Sequence, residues 1–349
     1  MRFHPPRPGG DSEESPTIAQ PAFRLQPPLL FALGASKSFG EAVAAEIGLE
    51  LSAHEEREFP DGEHKARPLV EVGDRDVYVI HSLAGSGGQS PNDKLIRLLF
   101  FIGALKDAGA GRVTAVTPYL PYARKDRRTK PRDPVSMRYV AALFEALGTD
   151  RLMAFEIHNV AAFENAIRSC RGENLPAAGV LAEHVLPLLG EEPVVVVSPD
   201  SGGAKRANLF RTVLENRLGK PVGNALLEKH RSAGVVSGSL FAGEVAGCTA
   251  IIVDDLIASG GTIVRAAKAC REAGAGKTIA AAAHGLFSGG APALFGEDGP
   301  ELVFVCDSVE VPEVANPERL RIVPAAPFFA EAIARLHDGE PFYDLLPYD

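Results

Sequence analysis

The sequence predicts an α/β protein built from two similar units, each a parallel sheet flanked by helices. Short apolar, β-branched runs alternate along the chain with longer helical stretches, the pattern of parallel strands covered on both faces. At 349 residues the chain is long enough for two ordinary domains. One local pattern also occurs twice. "ALKDAGAGRVTAV" (104–116) and "ACREAGAGKTIAA" (269–281) share an Ala, an acid, the AGAG core and the base that follows. Each reads as a helix end, a Gly turn and a new strand. One such match could be the common look of helix-to-strand turns. Two copies, both late in a helix between two strands, point to duplication of one α/β unit.

In order along the chain, "LLFAL" (29–33) reads as a strand and 37–48 as a helix. "DVYVIHS" (76–82), a helix around 91–108 and "RVTAVTP" (112–118) follow. "RLMAFEI" (151–157), "PVVVVSP" (193–199), "TAIIVDD" (249–255), "KTIAAAAHG" (277–285) and "ELVFVCDS" (301–308) continue the strand series. The expected division is a tail over 1–27, a first unit over 28–170 and a second over 171–324. A final helix (about 325–337) with its tail to 349 is expected to pack back on the first unit. The first 28 residues hold seven prolines and the polar "GGDSEES", which reads as a disordered tail.

Hydrophobic residues make up 46% of the chain and charged residues 23%, the balance of a soluble globular protein. A net charge of −9 argues against a general nucleic-acid or membrane-surface binder, which would favour a basic face. Cys170, Cys248, Cys270 and Cys306 lie far apart without metal-type spacing, as in a reduced cytoplasmic protein. No apolar stretch approaches the length of a membrane span, and the N-terminus shows no signal-peptide core.

The chemistry begins at "IIVDDLIASGGT" (251–262). Asp254 and Asp255 are expected at the carboxyl end of a buried strand, where open α/β sheets bind ligands. Ala258, Ser259, Gly260, Gly261 and Thr262 then lead into a helix expected to run to about Ala273. Small residues let backbone N–H groups approach an anion, and a helix N-terminus favours negative charge. That describes a phosphate cradle, with the two acids taking sugar hydroxyls or a Mg²⁺ beside it. A tight turn with an Asp cap is the other reading. "GKT" at Gly276–Thr278 is no P-loop: Arg271 stands where the first Gly belongs, and the segment leads into a strand.

"VDDLIASGGT" resembles the phosphoribosyl-pyrophosphate (PRPP) motif shared by type I phosphoribosyltransferases and PRPP synthases. Other segments resemble the synthase, ribose-phosphate pyrophosphokinase. "FPDGE" (59–63) resembles a segment that in that family reaches across a subunit interface to the adenine of ATP. Phe59 offers a stacking face, and Asp61 and Glu63 can accept from an exocyclic amine; by itself Pro-Asp-Gly reads as a surface turn. "PYLPYARKDRR" (118–128) sets Arg124, Lys125, Arg127 and Arg128 around Asp126, an anion site such as a triphosphate or else a solvated basic loop. The resemblance places ATP phosphates on Arg124, with Lys125 where the family commonly has Gln.

"FEIHNVAAFENAI" (155–167) resembles the family's DLH strand end, with Glu156 in place of the Asp and His158 as the histidine beside Mg-ATP. "VVVVSPDSGGAKRA" (194–207) resembles SPDxGG, with Asp200 and Gly202–Gly203 near the ribose phosphate. Lys205 and Arg206 add charge there or cap a solvated helix face. Lys229 and Arg231 fit the family's KxR pair, which closes over the transferring phosphoryl group; alone they read as a charged hairpin. "AHGLFSG" (283–289) resembles T-H-G-x-F-S-G. The resemblance covers roughly 28–345 and implies two tandem type I phosphoribosyltransferase-like domains.

It further implies transfer of the diphosphoryl group of ATP to the 1-hydroxyl of ribose 5-phosphate. Lys229, Arg231 and His158 would be catalytic, and Phe59, Asp61, Glu63, Arg124, Lys125 and Arg127 would bind ATP. Asp254, Asp255 and Ala258–Thr262 would bind ribose 5-phosphate, and His158 and Asp200 would lie by Mg²⁺. The assembly would be a dimer-based homo-oligomer, up to a hexamer. A PRPP-consuming transferase and a catalytically silent regulatory relative are the alternatives. The first would need neither "FPDGE" nor the 124–128 cluster, and the second would show damage to the KxR pair, the acid pair or His158.

Overall fold

A computed structural model describes residues 26–232, 235–341 and 345, with the side chains of 228–240 outside the description. Most of the Pro-rich tail therefore lies outside the described residues. The first apolar run forms β1 (Leu29–Ala32), followed by α1 (Lys37–Glu46). β2 (His54–Glu58) and β3 (His64–Pro68) pair with each other as an antiparallel hairpin. β4 (Asp76–Ile80), α2 (Pro91–Asp107), β5 (Arg112–Thr117) and α3 (Ser136–Ala146) come next, then β6 (Arg151–Phe155), α4 (Val160–Ala166) and β7 (Arg171–Leu175). The first sheet has the order β1-β4-β5-β6-β7 and is parallel throughout. Because β7 joins it, the chain leaves this sheet after Leu175, past the expected division at 170.

The second unit contains α5 (Ala178–Val185), β8 (Val194–Ser198), α6 (Ala204–Leu218), β9 (Gly223–Ser232) and β10 (Val235–Ala242). β11 (Thr249–Ile257), α7 (Gly261–Glu272), β12 (Lys277–Gly285), β13 (Leu302–Cys306), β14 (Leu320–Val323) and α8 (Ala326–Asp338) complete it. The sheet order is β10-β9-β8-β11-β12-β13-β14, parallel except for the β9–β10 hairpin. From β8 the chain moves outward one way, and from β11 it moves the other. β8 and β11 therefore flank a switch point, and ligands bind in the crevice beyond such strand ends.

Strands buried on both faces explain the unbroken apolar runs. On β1, Leu30 and Ala32 point to one core and Phe31 to another, and all three are buried. The first of these cores is shared by both sheets. It joins Leu30, Tyr78 and Phe155 of the first unit to Ala182, Phe210, Ile251 and Phe329 of the second. α8 lies against α1, with the rings of Phe39 and Phe329 edge-on at 5.4 Å. At its end, His337 Nδ1 donates to Asp76 Oδ2 at 2.7 Å.

The repeated AGAG turn is repeated in structure. Gly109 (φ +87°) and Gly274 (φ +89°) both take the left-handed conformation that glycine adopts without steric cost. Ala110 N donates to Leu105 O at 3.0 Å, and Ala275 N donates to Cys270 O at 2.9 Å. Gly111 and Gly276 then donate to Arg75 O and Cys248 O, tying each turn to the loop before the neighbouring strand.

Phe329 is fully buried against Phe39 and Phe155, so it fastens the last helix to the first unit. Phe329→Ala is expected to cost about 3–5 kcal/mol. Denaturant unfolding should show a lower midpoint with an unchanged slope.

Candidate active site

The two loops at the switch point build the site. After β8, Asp200 Oδ1 accepts from the N–H groups of Gly202 (3.0 Å) and Gly203 (3.1 Å), so the acid caps the turn that enters α6. After β11, Ala258–Gly260 turn directly into α7, whose first N–H groups lack helical partners and carry the positive end of the dipole. Gly260 has φ +79°, and a Cβ there would lie 2.8 Å from Leu294 Cβ. A side chain is excluded on both counts. The two loops line a cavity of about 640 Å³.

β11 is longer than the sequence suggests. It runs to Ile257, so Asp254 and Asp255 lie within the strand, not at its end. Both acids still face the cavity, because β8 is paired with β11 only as far as Ile252. Asp255 is buried at 4% exposure, and His158 Nδ1–H donates to its Oδ2 at 2.7 Å. Arg206 approaches both acids, with Nη1 3.6 Å from Asp254 Oδ1 and 3.5 Å from Asp255 Oδ1. Its Nε donates to Glu156 Oε1 at 2.8 Å, and its Nη2 donates to the His158 carbonyl at 3.3 Å.

This network splits the acid pair. Burial pushes the Asp254 carboxyl above the ordinary carboxylate range, and the neighbouring Asp255 charge adds to that. Burial also opposes ionisation of Asp255, but the His158 hydrogen bond and the Arg206 charge outweigh it and hold that carboxyl low. The Asp255 hydrogen bond in turn raises the His158 imidazole, against the pull of burial. One acid is thus kept ionised, and its neighbour is biased towards the protonated form.

The first unit supplies the other wall. Arg124, Arg127 and His158 line the same cavity as the cradle. Asn159 Nδ2 donates to Asp126 Oδ2 at 2.6 Å, which ties the basic segment to the start of α4. Lys125 and Arg128 are exposed and do not line the cavity. Phe59, Asp61 and Glu63 form the tip of the β2–β3 hairpin, where Gly62 N donates to Phe59 O at 2.9 Å, and they do not line it either. The backbone of Lys229 and Arg231 lies in β9, opposite Ser239 and Val236 of β10, while their side chains fall outside the description. Arg206 and Glu156 were legible only as a charged helix start and a substituted motif acid. In the fold each bridges the two units.

A third bridge lies behind the site. His284 is buried, with Nε2–H donating to the Phe155 carbonyl at 3.1 Å and Nδ1 lying 2.8 Å from Ser308 Oγ. Burial pushes this imidazole down to about 4, so it is neutral. Ser82 Oγ donates to the Ser308 carbonyl at 2.5 Å, again across the two units.

A family model described as the N-terminal domain of ribose phosphate pyrophosphokinase matches residues 29–148, and one described as the phosphoribosyl synthetase-associated domain matches 237–346. Ribose-phosphate pyrophosphokinase of Caldanaerobacter subterraneus subsp. tengcongensis is 34% identical over 311 residues, spanning 89% of this chain and 95% of that protein. The chain belongs to the ribose-phosphate pyrophosphokinase family. Ribose-phosphate pyrophosphokinase 1 of Streptococcus pneumoniae is 33% identical over 322 residues, 90% of this chain and 96% of that one. The crystal structure of phosphoribosylpyrophosphate synthetase from Mycobacterium smegmatis superposes with a TM-score of 0.80 at 32% identity, covering 90% of this chain and all of that one. Among the described residues, no helix is long and apolar enough to cross a membrane.

Two outcomes follow from the geometry. Gly260→Ala should lower the thermal unfolding midpoint through a left-handed backbone strain of about 1–2 kcal/mol plus the Leu294 overlap. Gly261→Ala, with nothing nearer than 3.7 Å, should leave the midpoint nearly unchanged. The second concerns pH. A raised His158 pKa contributes stability that is complete below the free imidazole value of about 6.5 and is lost as pH rises through the folded value. The stability difference between wild type and His158→Asn should therefore be largest near about pH 6 and shrink towards about pH 9. A difference that widens with pH would contradict the assignment.

Proposed function

We propose that the protein transfers the diphosphoryl group of ATP to the 1-hydroxyl of ribose 5-phosphate, giving PRPP and AMP. One observation carries this reading: a phosphate cradle of the second unit and a basic, histidine-bearing wall of the first line a single cavity. The cradle at Ala258–Thr262 takes the 5-phosphate on the N–H groups that open α7. Asp254, whose side chain is 20% exposed against 5% for Asp255, takes the ribose hydroxyls directly, and Asp255 braces His158. Arg124 and Arg127 take ATP phosphates, with Lys125 at the rim.

Phe59, Asp61 and Glu63 are assigned to the adenine of ATP bound by a neighbouring copy, because their hairpin tip stands outside the cavity of its own chain. Such an assembly suits the apolar side chains left exposed on that unit, Ile96 and Phe100 of α2 and Tyr139 and Leu143 of α3. Lys229 and Arg231 are assigned to the charge that builds on the migrating phosphoryl group.

Among the described residues, no cluster of three His, Cys, Asp or Glu could hold a metal by itself. That donor set suits Mg²⁺, which is commonly held by one or two protein groups together with substrate phosphates and water. His158 Nε2, once it has given up its proton, and the second oxygen of Asp200 are the atoms not used in the bonds described above, and both residues line the cavity. When bound, Mg²⁺ neutralises phosphate charge and orients the transferred group. The protein's own part is positioning and charge stabilisation.

Incubation with ATP, Mg²⁺ and ribose 5-phosphate should yield AMP and PRPP in equal amounts. Consumption of PRPP with a base, and no AMP, would instead mark a transferase. Lys229→Ala should lose about 10²–10³ in kcat with little change in KM. A near-normal kcat would remove the role given to Lys229.

A further inference from the structure

We propose that Arg206 is a positioning residue for this reaction, held in place by Glu156, and that it acts on ribose 5-phosphate through Asp254 and Asp255. The inference rests on the function proposed above. A basic residue in the first turn of a helix ordinarily reaches into solvent. Arg206 does the opposite: its side chain is 12% exposed, and it meets Glu156 and His158 of the first unit and Asp254 and Asp255 of the second. Three nitrogens of the guanidinium point in three directions. Nε is on Glu156, Nη2 is on the His158 carbonyl, and Nη1 lies between the two acids. Only a planar, forked cation can serve all of them; the point charge of a lysine cannot.

Glu156 fixes that fork. Its φ of +45° is a left-handed conformation that non-glycine residues avoid, so the surrounding bonds must impose it. Glu156 N donates to Leu175 O at 2.8 Å, and Glu156 Oε2 accepts from Ala177 N at 2.6 Å. Its other oxygen then faces Arg206 Nε. Next in the chain, Ile157 N donates to Asn174 Oδ1 at 2.9 Å. The carboxylate thus spans from the chain crossing at Ala177 to the guanidinium. An aspartate, one methylene shorter, would have to release one of the two partners. The longer acid at this position is therefore part of the device that places Arg206.

The effect should fall on one substrate. Asp254 takes the ribose hydroxyls, so misplacing it weakens ribose 5-phosphate binding. Arg124 and Arg127, which Arg206 does not touch, keep ATP in place, and any effect through Asp255 and His158 falls on kcat. Steady-state kinetics and calorimetric titration with ribose 5-phosphate alone test this on the full chain. Arg206→Lys should lower kcat/KM for ribose 5-phosphate about 10–100-fold, chiefly through KM, while KM for ATP stays near wild type. Glu156→Asp should show the same pattern more weakly. Glu156→Gln keeps the length but turns one accepting oxygen into an N–H donor facing Arg206 or Ala177, so it should not recover that loss. The Arg206→Lys, Glu156→Asp double variant should be little worse than Arg206→Lys, because the two act as a unit.

Calorimetry should report ribose 5-phosphate affinity reduced by about tenfold or more in Arg206→Lys. If that variant unfolds, the Glu156→Asp and Glu156→Gln pair carries the same test. An unchanged KM for ribose 5-phosphate overturns the inference. So does an equal rise in both KM values that tracks a fall in unfolding midpoint, since that is what a purely structural role produces. If the wild type makes no AMP, the functional reading falls, and the role of Arg206 stands or falls on the calorimetric comparison.

Discussion

The structure turns on one cation set among three carboxylates. Arg206 faces Glu156, Asp254 and Asp255, and each of those groups is itself largely removed from water. Burial alone would disfavour every charge in the group. Arg206 offsets the carboxylates around it, and removing it would leave them as uncompensated buried ions. Burial weakens the arginine's hold on its proton, yet Glu156, Asp255 and Asp254 more than restore it. The arrangement is demanding in geometry, which is why it can fix positions as well as charge.

That cluster sits where the two halves of the molecule meet. Glu156 and His158 come from the turn after β6, and Arg206 and the acid pair come from α6 and β11. The shared apolar core holds the two sheets in register from one side, since Phe155 packs on Phe329 and on the edge of His284. The polar bridges fix the same seam from the other. Because Phe155 immediately precedes Glu156, the apolar and polar fastenings act on consecutive residues. A cradle built on one sheet and a basic wall built on the other can then face a common cavity without a flexible joint between them.

How much of this could be read in the sequence follows from where each signal originates. Strands buried on both faces announce themselves as apolar runs, so β1, β5, β8 and β12 lay within one residue of their expected positions. The AGAG turns and the cradle were legible for a local reason: glycine at a left-handed position is a backbone requirement. β2 ("HEERE") and β7 ("RGENL") were not, because edge and hairpin strands carry polar residues that give no burial signal. The two extra residues of β11 also escaped, since acids at a strand end look the same whether the ladder continues or stops. Arg206 was the least legible. Beside Lys205 at a helix start it looks like any solvated base, and its partners lie 48 to 50 positions away in the sequence. The residue on which the site depends is visible only after the chain has folded.

The cluster also bears on the charge of the cavity in an acidic protein. The cavity is bordered by Arg124, Arg127 and Arg206 on one side of the balance and by Asp200, Asp254 and Asp255 on the other. Counted as full charges these cancel. The counting fails because burial biases Asp254 towards its neutral form while Asp255 raises His158 towards its cationic one. One oxygen of Asp200 is already taken up by two backbone N–H groups. The balance of charge around the cavity therefore leans towards the cations, in a chain whose net charge is −9. A protonated Asp254 can donate a hydrogen bond as well as accept one, whereas an ionised Asp255 can only accept. Two adjacent, identical side chains are thereby made chemically different, and Arg206 and His158, reaching in from α6 and from the other half of the molecule, help to set which is which.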